Sequence, residues 1–230
     1  MAEAPQTPHR RARVAIPAVI AGGVSALLLA FSMTPTFAAL SAAIQNSVDT
    51  AGTGTLIMEE KNAAGTTTCL STDGGSVATN SATCAGINKY GGNLAMAPGK
   101  TVTTTITISN KGSMAASAFT LLAGPCTASL NGGAALQSDF CSKTNLVLTG
   151  TSSVTGSTSK TIFSGNLATL NSTYGTTATA LNVLSKLEQS QIAKDEIITL
   201  QFAVTIGDSS MANAYQGHQL IQPLTWTFGA

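Results

Sequence analysis

The clearest pattern in the chain is strict alternation over Thr101–Ser109. Val102, Thr104, Ile106 and Ile108 fall on one side, and Thr103, Thr105 and Thr107 on the other. A period of two over that length predicts a strand with an apolar face and a threonine face. The same period recurs over Ala116–Ala123 and over Glu196–Ile206, where Ile198, Leu200, Phe202, Val204 and Ile206 share a face. Shorter strands are expected at Gly52–Glu60, near Thr66–Leu70, at Asn145–Thr149 and at Lys160–Phe163. Gln219–Phe228 closes the set, and Pro223 inside it predicts an edge position or a bulge. Pro98-Gly99, Asn110-Lys111-Gly112-Ser113, Gly124-Pro125 and Gly207-Asp208-Ser209-Ser210 separate these runs as turns, and Gly150–Ser159 is a Ser/Thr/Gly loop. Ala178–Ala193 is the one segment with helical spacing, through Leu181, Leu184, Leu187 and Ile192. About seven short strands and little helix predict an all-β sandwich of Greek-key or jelly-roll type, with short helices and Ser/Thr/Gly-rich loops.

Composition supports this reading. From Ala39 onward Ser and Thr make up about a quarter of the residues, a poor composition for helix. The net charge of +1 hides a split. Arg10, Arg11 and Arg13 are the only arginines, and beyond them eight lysines face nine carboxylates from Ala39 on, a net of −1. A nucleic-acid interface needs a dense basic face, so that function class is excluded.

The first forty residues read as an export signal. His9–Arg13 is a basic start, Val14–Met33 an apolar stretch, and Pro35-Thr36-Phe37-Ala38 ends it with small residues where a signal peptidase cuts. Cleavage is expected between Ala38 and Ala39, with Ala43 as a later site. Two other readings of the segment stay open: an uncleaved membrane anchor, since the stretch is long enough to span a bilayer, and a twin-arginine signal at Arg10-Arg11. With residues 1–38 set aside as signal, 39–230 is expected to form one domain.

Export agrees with the cysteines. Cys69, Cys84, Cys126 and Cys141 are even in number and allow three pairings. The local pairs Cys69–Cys84 and Cys126–Cys141 have equal separations and span Gly/Ser/Thr/Asn-rich loops able to fold back, so they are the expected disulfides. Zinc is the weaker use, because there is no C-x-x-C pair and His218 is the only histidine beyond the leader.

Chemistry has few residues to work with. No G-x-S-x-G or H-E-x-x-H occurs, and His218 reads as a loop histidine before the last strand. Glu59-Glu60 and Asp195-Glu196 are adjacent pairs, which point to opposite faces of a strand. Glu59, Glu60, Asp73 and Asp208 are the carboxylates available to calcium, but no D-x-D-x-D-G loop gathers them. Gly52-Thr53-Gly54 lacks the third glycine of a nucleotide fingerprint. Trp226 alternates with Thr225 and Thr227, which favours core packing over sugar stacking. The expectation is a protein that is not an enzyme and holds no cofactor.

Several stretches together resemble the TasA/camelysin family. The leader ending at Phe37-Ala38-Ala39, then Asn46, then Ala51-Gly52-Thr53-Gly54-Thr55-Leu56, is similar to that family's leader and first strand. Ala97-Pro98-Gly99-Lys100 before the Thr101–Ser109 strand, followed by Asn110-Lys111-Gly112-Ser113, resembles its hairpin. Ala212–Gly217 followed by Leu224–Phe228 resembles its C-terminal strand pair. Two departures are visible: Leu40-Ser41-Ala42 stands where the family has an aromatic-Ser-Asp, and the four cysteines are additional. The resemblance implies a jelly-roll-like sandwich, export through a dedicated signal peptidase, and a secreted matrix protein that assembles with itself into fibres. Cell-envelope or matrix components are the further partners expected.

Ala39–Ala51 finds no partner among the expected strands. Leu40, Ala42, Ile44, Asn46 and Val48 share one strand face, so this segment is expected to be donated to a neighbouring subunit, with Leu40, Ile44 and Val48 as its buried side chains. A surface adhesin or carbohydrate-binding module, and a secreted protease of camelysin type, are the competing functions.

Overall fold

The computed structural model describes residues 52–93, 96–132, 135–154, 158–207 and 213–230. The signal-cleavage residues Ala38 and Ala39 and the assembly residues Leu40, Ile44 and Val48 lie outside them, as does Asp208. Residues Thr53–Ala230 make up one contact-dense unit.

Its strands are β1 (Met58–Asn62), β2 (Thr68–Leu70), β3 (Thr101–Asn110), β4 (Ala118–Ala123), β5 (Thr127–Leu130), β6 (Thr144–Ser152), β7 (Lys160–Asn166), β8 (Leu181–Asn182), β9 (Ile197–Ile206), β10 (His218–Ile221) and β11 (Leu224–Gly229). Three short helices join them: α1 (Phe140–Lys143), α2 (Leu167–Tyr174) and α3 (Val183–Leu187). The fold is the expected all-β sandwich with short helices. One layer is a six-stranded antiparallel sheet in the order β2-β1-β3-β9-β6-β7, and the other consists of β11-β4-β8 and β10-β5. The chain changes layer between β3 and β4, between β5 and β6, on both sides of β8, and between β9 and β10. Neighbours such as β3 and β9 are therefore remote in sequence.

The period of two decides which residues enter the core. Ile106, Ile108, Leu146, Leu148, Ile198, Leu200 and Phe202 from the large sheet are fully buried against Phe119 and Leu121 of β4. The intervening threonines form the outer face, where Thr107 pairs with Thr199 and the hydroxyls of Thr101 and Thr205 lie 2.7 Å apart. Gly150 sits at an inward position of β6. A Cβ there would lie 2.6 Å from Ile162 Cδ1 and 2.9 Å from Leu187 Cδ2, so the missing side chain lets α3 approach the sheet.

Polar side chains fix two turns. Asn110 is fully buried; its Nδ2 donates to the carbonyls of Met114 and Ile192, and its Oδ1 accepts from Gly112 N–H. A β-carbon on Gly112 would meet Thr55 O at 2.2 Å, so this turn requires glycine. Glu196, also buried, accepts from Ser152 Oγ, Gln189 Nε2 and Ala193 N–H, which holds the turn before β9.

The expected helix over Ala178–Ala193 is corrected. The segment contains a short 3-10 turn at Thr177–Thr179, then β8, then α3, which is only five residues long. Asn182 starts α3 by accepting Ser185 N–H, and Glu188 ends it in a left-handed conformation at φ 60°. The leucines are apolar because they face the core, and the period of 3.6 is a coincidence of strand, turn and single-turn helix.

Candidate functional site

β10 and β11 act as one long strand. β11 pairs with β4 over Leu224↔Ala123 to Gly229↔Ala118, and β10 pairs with β5 over His218↔Leu130 to Ile221↔Thr127. The extra residue lies on the β4–β5 side of the bend, at Gly124-Pro125-Cys126, opposite Gln222-Pro223. The bulge expected from Pro223 is present, and so is the edge position.

Backbone alternation identifies what that edge offers. Gly124 N–H donates to Pro223 O at 2.8 Å and Asn131 N–H to Gly217 O at 2.6 Å, so the odd-numbered residues face β4 and β5. In an antiparallel pair the alternate residues face away. His218, Leu220, Leu224, Trp226 and Phe228 therefore direct their main-chain N–H and C=O groups to the outer edge. No strand pairs with that edge among the described residues.

This edge forms one wall of a groove of about 1290 Å³. β1 and the residues before it line it as well, through Leu56, Met58 and Glu60, together with residues of the disulfide-tied excursion. Leu56, Met58, Leu224, Trp226 and Phe228 are only partly buried although they pack on the core. The volume exceeds the roughly 300–1,000 Å³ of a small-molecule pocket. It combines an apolar lining with a row of main-chain hydrogen-bonding groups, the combination that accepts an extended peptide.

Both expected disulfides are present. Cys69 bonds Cys84 and Cys126 bonds Cys141, with Cα–Cα separations of 5.8 and 6.0 Å. The first lies in the groove lining and ties the excursion to β2. The second joins the bend after β4 to α1.

Charged groups are held in place structurally. Glu60 is buried on the groove side of β1, with Lys89 Nζ 2.7 Å from its Oε1. Glu59 points to the outer face. Burial raises its carboxyl, but the bonds from Lys61 at 3.0 Å and Ser109 at 2.9 Å, with Lys111 nearby, bring it below the usual range. Asp73 Oδ2 accepts Leu70 N–H at 2.7 Å and closes a turn. Among the described residues no three His, Cys, Asp or Glu side chains come together as metal ligands.

His218 is not a loop residue; it is the first residue of β10 and is buried. Its Nε2 accepts Gln137 N–H at 2.8 Å, and its ring lies 5.2 Å from Phe140 and 5.8 Å from Tyr215. Tyr215 donates to the Asp139 carboxylate, whose hydrogen bond is the main cause of the raised Tyr215 pKa. Trp226 packs on Phe119 and Phe202, with centroids 5.5 and 6.3 Å away, and its remaining surface lines the groove.

Sequence reasoning named Glu60 only as a carboxylate available to calcium, and did not single out Leu56, Met58, Lys89 or Tyr90 as site residues. One signal was legible: the apolar alternation of β11 continues back through Leu220 across Pro223. The two disulfides fit an oxidising compartment, and among the described residues no helix is long and apolar enough to cross a membrane. No protein-family profile matches the chain, and no curated protein matches it.

Proposed function

We propose that this is a secreted structural protein of the extracellular matrix or cell surface, whose subunits join head to tail into fibres. In this reading each subunit fills the groove of its neighbour with residues 39–51. The supporting observation is the edge of β10–β11, unpaired among the described residues, beside a partly buried apolar lining. Lengths agree: at about 3.3 Å per residue the 39–51 segment extends over roughly 43 Å, and the edge from Gly217 to Phe228 over roughly 40 Å. Leu40, Ile44 and Val48 would be buried against Leu56, Met58, Leu224 and Trp226. At about 1.5–3 kcal/mol for each fully buried aliphatic side chain, three such residues outweigh the ordering of a short strand only in combination with its new main-chain bonds. A heterologous contact of this kind propagates into a filament. The resemblance to the TasA/camelysin family supports the same assembly, and the disulfides support export.

The test is deletion of Ala39–Asp49 in the secreted protein, viewed by electron microscopy. The expected product is a folded monomer with both disulfides that does not elongate. Fibres unchanged by the deletion overturn strand donation by this segment.

A further inference from the structure

The groove is crossed by residues of its own chain. Ile87 is buried in the core cluster and lines the groove. Two residues on, Lys89 reaches one wall, with Nζ 2.7 Å from Glu60 Oε1 on β1. The next residue, Tyr90, reaches the other wall, and its hydroxyl donates to Gln222 Oε1 at 2.9 Å at the bend between β10 and β11. Gln222 is itself buried and fixed, because its Nε2 donates to Gly124 O at 3.0 Å and Leu167 O at 3.2 Å. Adjacent side chains of one short segment thus grip both β1 and the bend between β10 and β11.

The segment is built to be held at a few points. Asn88 shapes it as a turn, accepting Tyr90 N–H on its side chain and Gly91 N–H on its carbonyl. Gly91 and Gly92 follow with φ of +82° and +64°, conformations that favour glycine. Behind the turn the chain is anchored to β2 by Cys69–Cys84. No ladder hydrogen bonds join residues 87–92 to either wall. A turn fixed at one end by a disulfide and held at the other by one ion pair, one hydrogen bond and the packing of Ile87 and the Tyr90 ring on the core, with no ladder bonds, is less firmly held than the sheet beside it.

We propose that residues 87–92 are a strap that covers the open edge of β10–β11 and must swing aside, about the Cys69–Cys84 anchor, before a neighbour's strand seats there. The proposal rests on the fibre reading for what is admitted and adds how admission is controlled. The strap shields the edge from indiscriminate pairing while the subunit is alone, a hazard that every exposed strand edge carries. The incoming strand replaces the contacts of Lys89 and Tyr90 with main-chain bonds along the edge.

The experiment uses the full chain with Tyr90→Phe, Glu60→Gln and the pair together. Tyr90→Phe keeps the ring and removes only the bond to Gln222. Glu60→Gln removes the charge that Lys89 holds and leaves Lys89 free to reach water. Amide hydrogen exchange is followed over residues 218–228, and seeded elongation by light scattering, with fibres checked by electron microscopy. Loss of one hydrogen bond, about 1 kcal/mol net, raises the open fraction roughly fivefold. Edge exchange and elongation should both rise by about that factor in Tyr90→Phe and further in the double variant, with the disulfides and the melting transition retained. Unchanged edge exchange in Tyr90→Phe overturns the strap, and faster exchange with unchanged elongation overturns its control of assembly. Absence of fibres in the parent and every variant strikes the fibre reading instead, and the exchange rates then still uphold or overturn the strap as a cover.

Discussion

On one long side of the sandwich, α2 and α3 fill the space between β4 and the β6–β7 pair. Leu167, Leu170 and Val183 are fully buried there, with Leu184 and Leu187 nearly so. On the other side, among the described residues, β1 and β10–β11 line the groove with no strand or helix between them, and Leu56, Met58, Leu224, Trp226 and Phe228 remain partly exposed. The residue types on the two sides are alike, so hydrophobicity is not what separates them. The closed side finds its covering residues within the same chain. Among the described residues the open side is crossed by the turn at 87–92, through Lys89 and Tyr90. Where a sandwich leaves one seam apolar and unpaired, that seam is where a second chain gains most by docking.

The largest expected effect is in the closed half. Leu184→Ala should destabilise the monomer by about 2–5 kcal/mol, whereas Leu56→Ala, at the open seam, should stay below about 2 kcal/mol. Urea unfolding of both variants measures the contrast, and equal losses would erase the distinction between the two sides.

The two disulfides sharpen the comparison because each links residues 15 apart in sequence. Loop-closure entropy alone assigns each about 3 kcal/mol. Replacing Cys126 and Cys141 by serine should remove that much or more, since Cys141 is buried beside Phe140. Replacing Cys69 and Cys84 should remove less global stability and instead speed exchange at residues 218–228. Denaturant midpoints for the two double variants, with exchange rates at the edge, decide the point.

A charge at the seam should act on assembly more than on folding. Leu224→Asp places a carboxylate in the groove but leaves the β4 ladder intact, because Leu224 directs its main-chain groups outward. The expected result is a folded monomer within about 1–2 kcal/mol of the parent that does not elongate. Fibres at the parent rate would show that assembly uses a different surface.

The smallest effects are in pH. Burial raises the Tyr90 hydroxyl well above its ordinary value, and Asp139 raises Tyr215. The folded state therefore holds these protons more tightly than the unfolded chain. Stability is intact below pH 10 and declines as pH rises beyond it. Glu59 works in the opposite direction: its lowered carboxyl stabilises the fold at neutral pH, and that contribution is lost as pH falls below about 4.5. Unfolding free energies measured across both limits should show a plateau between them. A Tyr90 phenolate already half formed at pH 10, read as the absorbance difference from Tyr90→Phe, would contradict the assignment.

The long strands, the local disulfides and the bulge at Pro223 were legible in the sequence because each depends on residues close together. Alternation sets a strand's faces within five or six residues, a 15-residue Gly/Ser/Thr loop brings its cysteines together, and proline lacks the N–H a ladder needs. The helices were poorly legible. Leu167–Tyr174 is rich in Thr, Ser and Asn and has no clear apolar stripe, and only the cap from Asn166 to Thr169 N–H, 2.8 Å, marks its start. Val183–Leu187 forms because Asn182 and Glu188 terminate it on either side and the sheet buries its leucines.

The sequence by itself determined that this chain makes a threonine-faced, disulfide-tied β-sandwich. The tertiary structure alone decided which seam is left unpaired among the described residues. An unpaired edge results from all the pairings made elsewhere, such as β3 with β9 across almost a hundred residues. Likewise Lys89 meets Glu60, and Tyr90 meets Gln222 at a sequence separation of 132, only after both layers have assembled. Local sequence fixes where side chains point along a strand, but whether a strand has a neighbour depends on the rest of the chain.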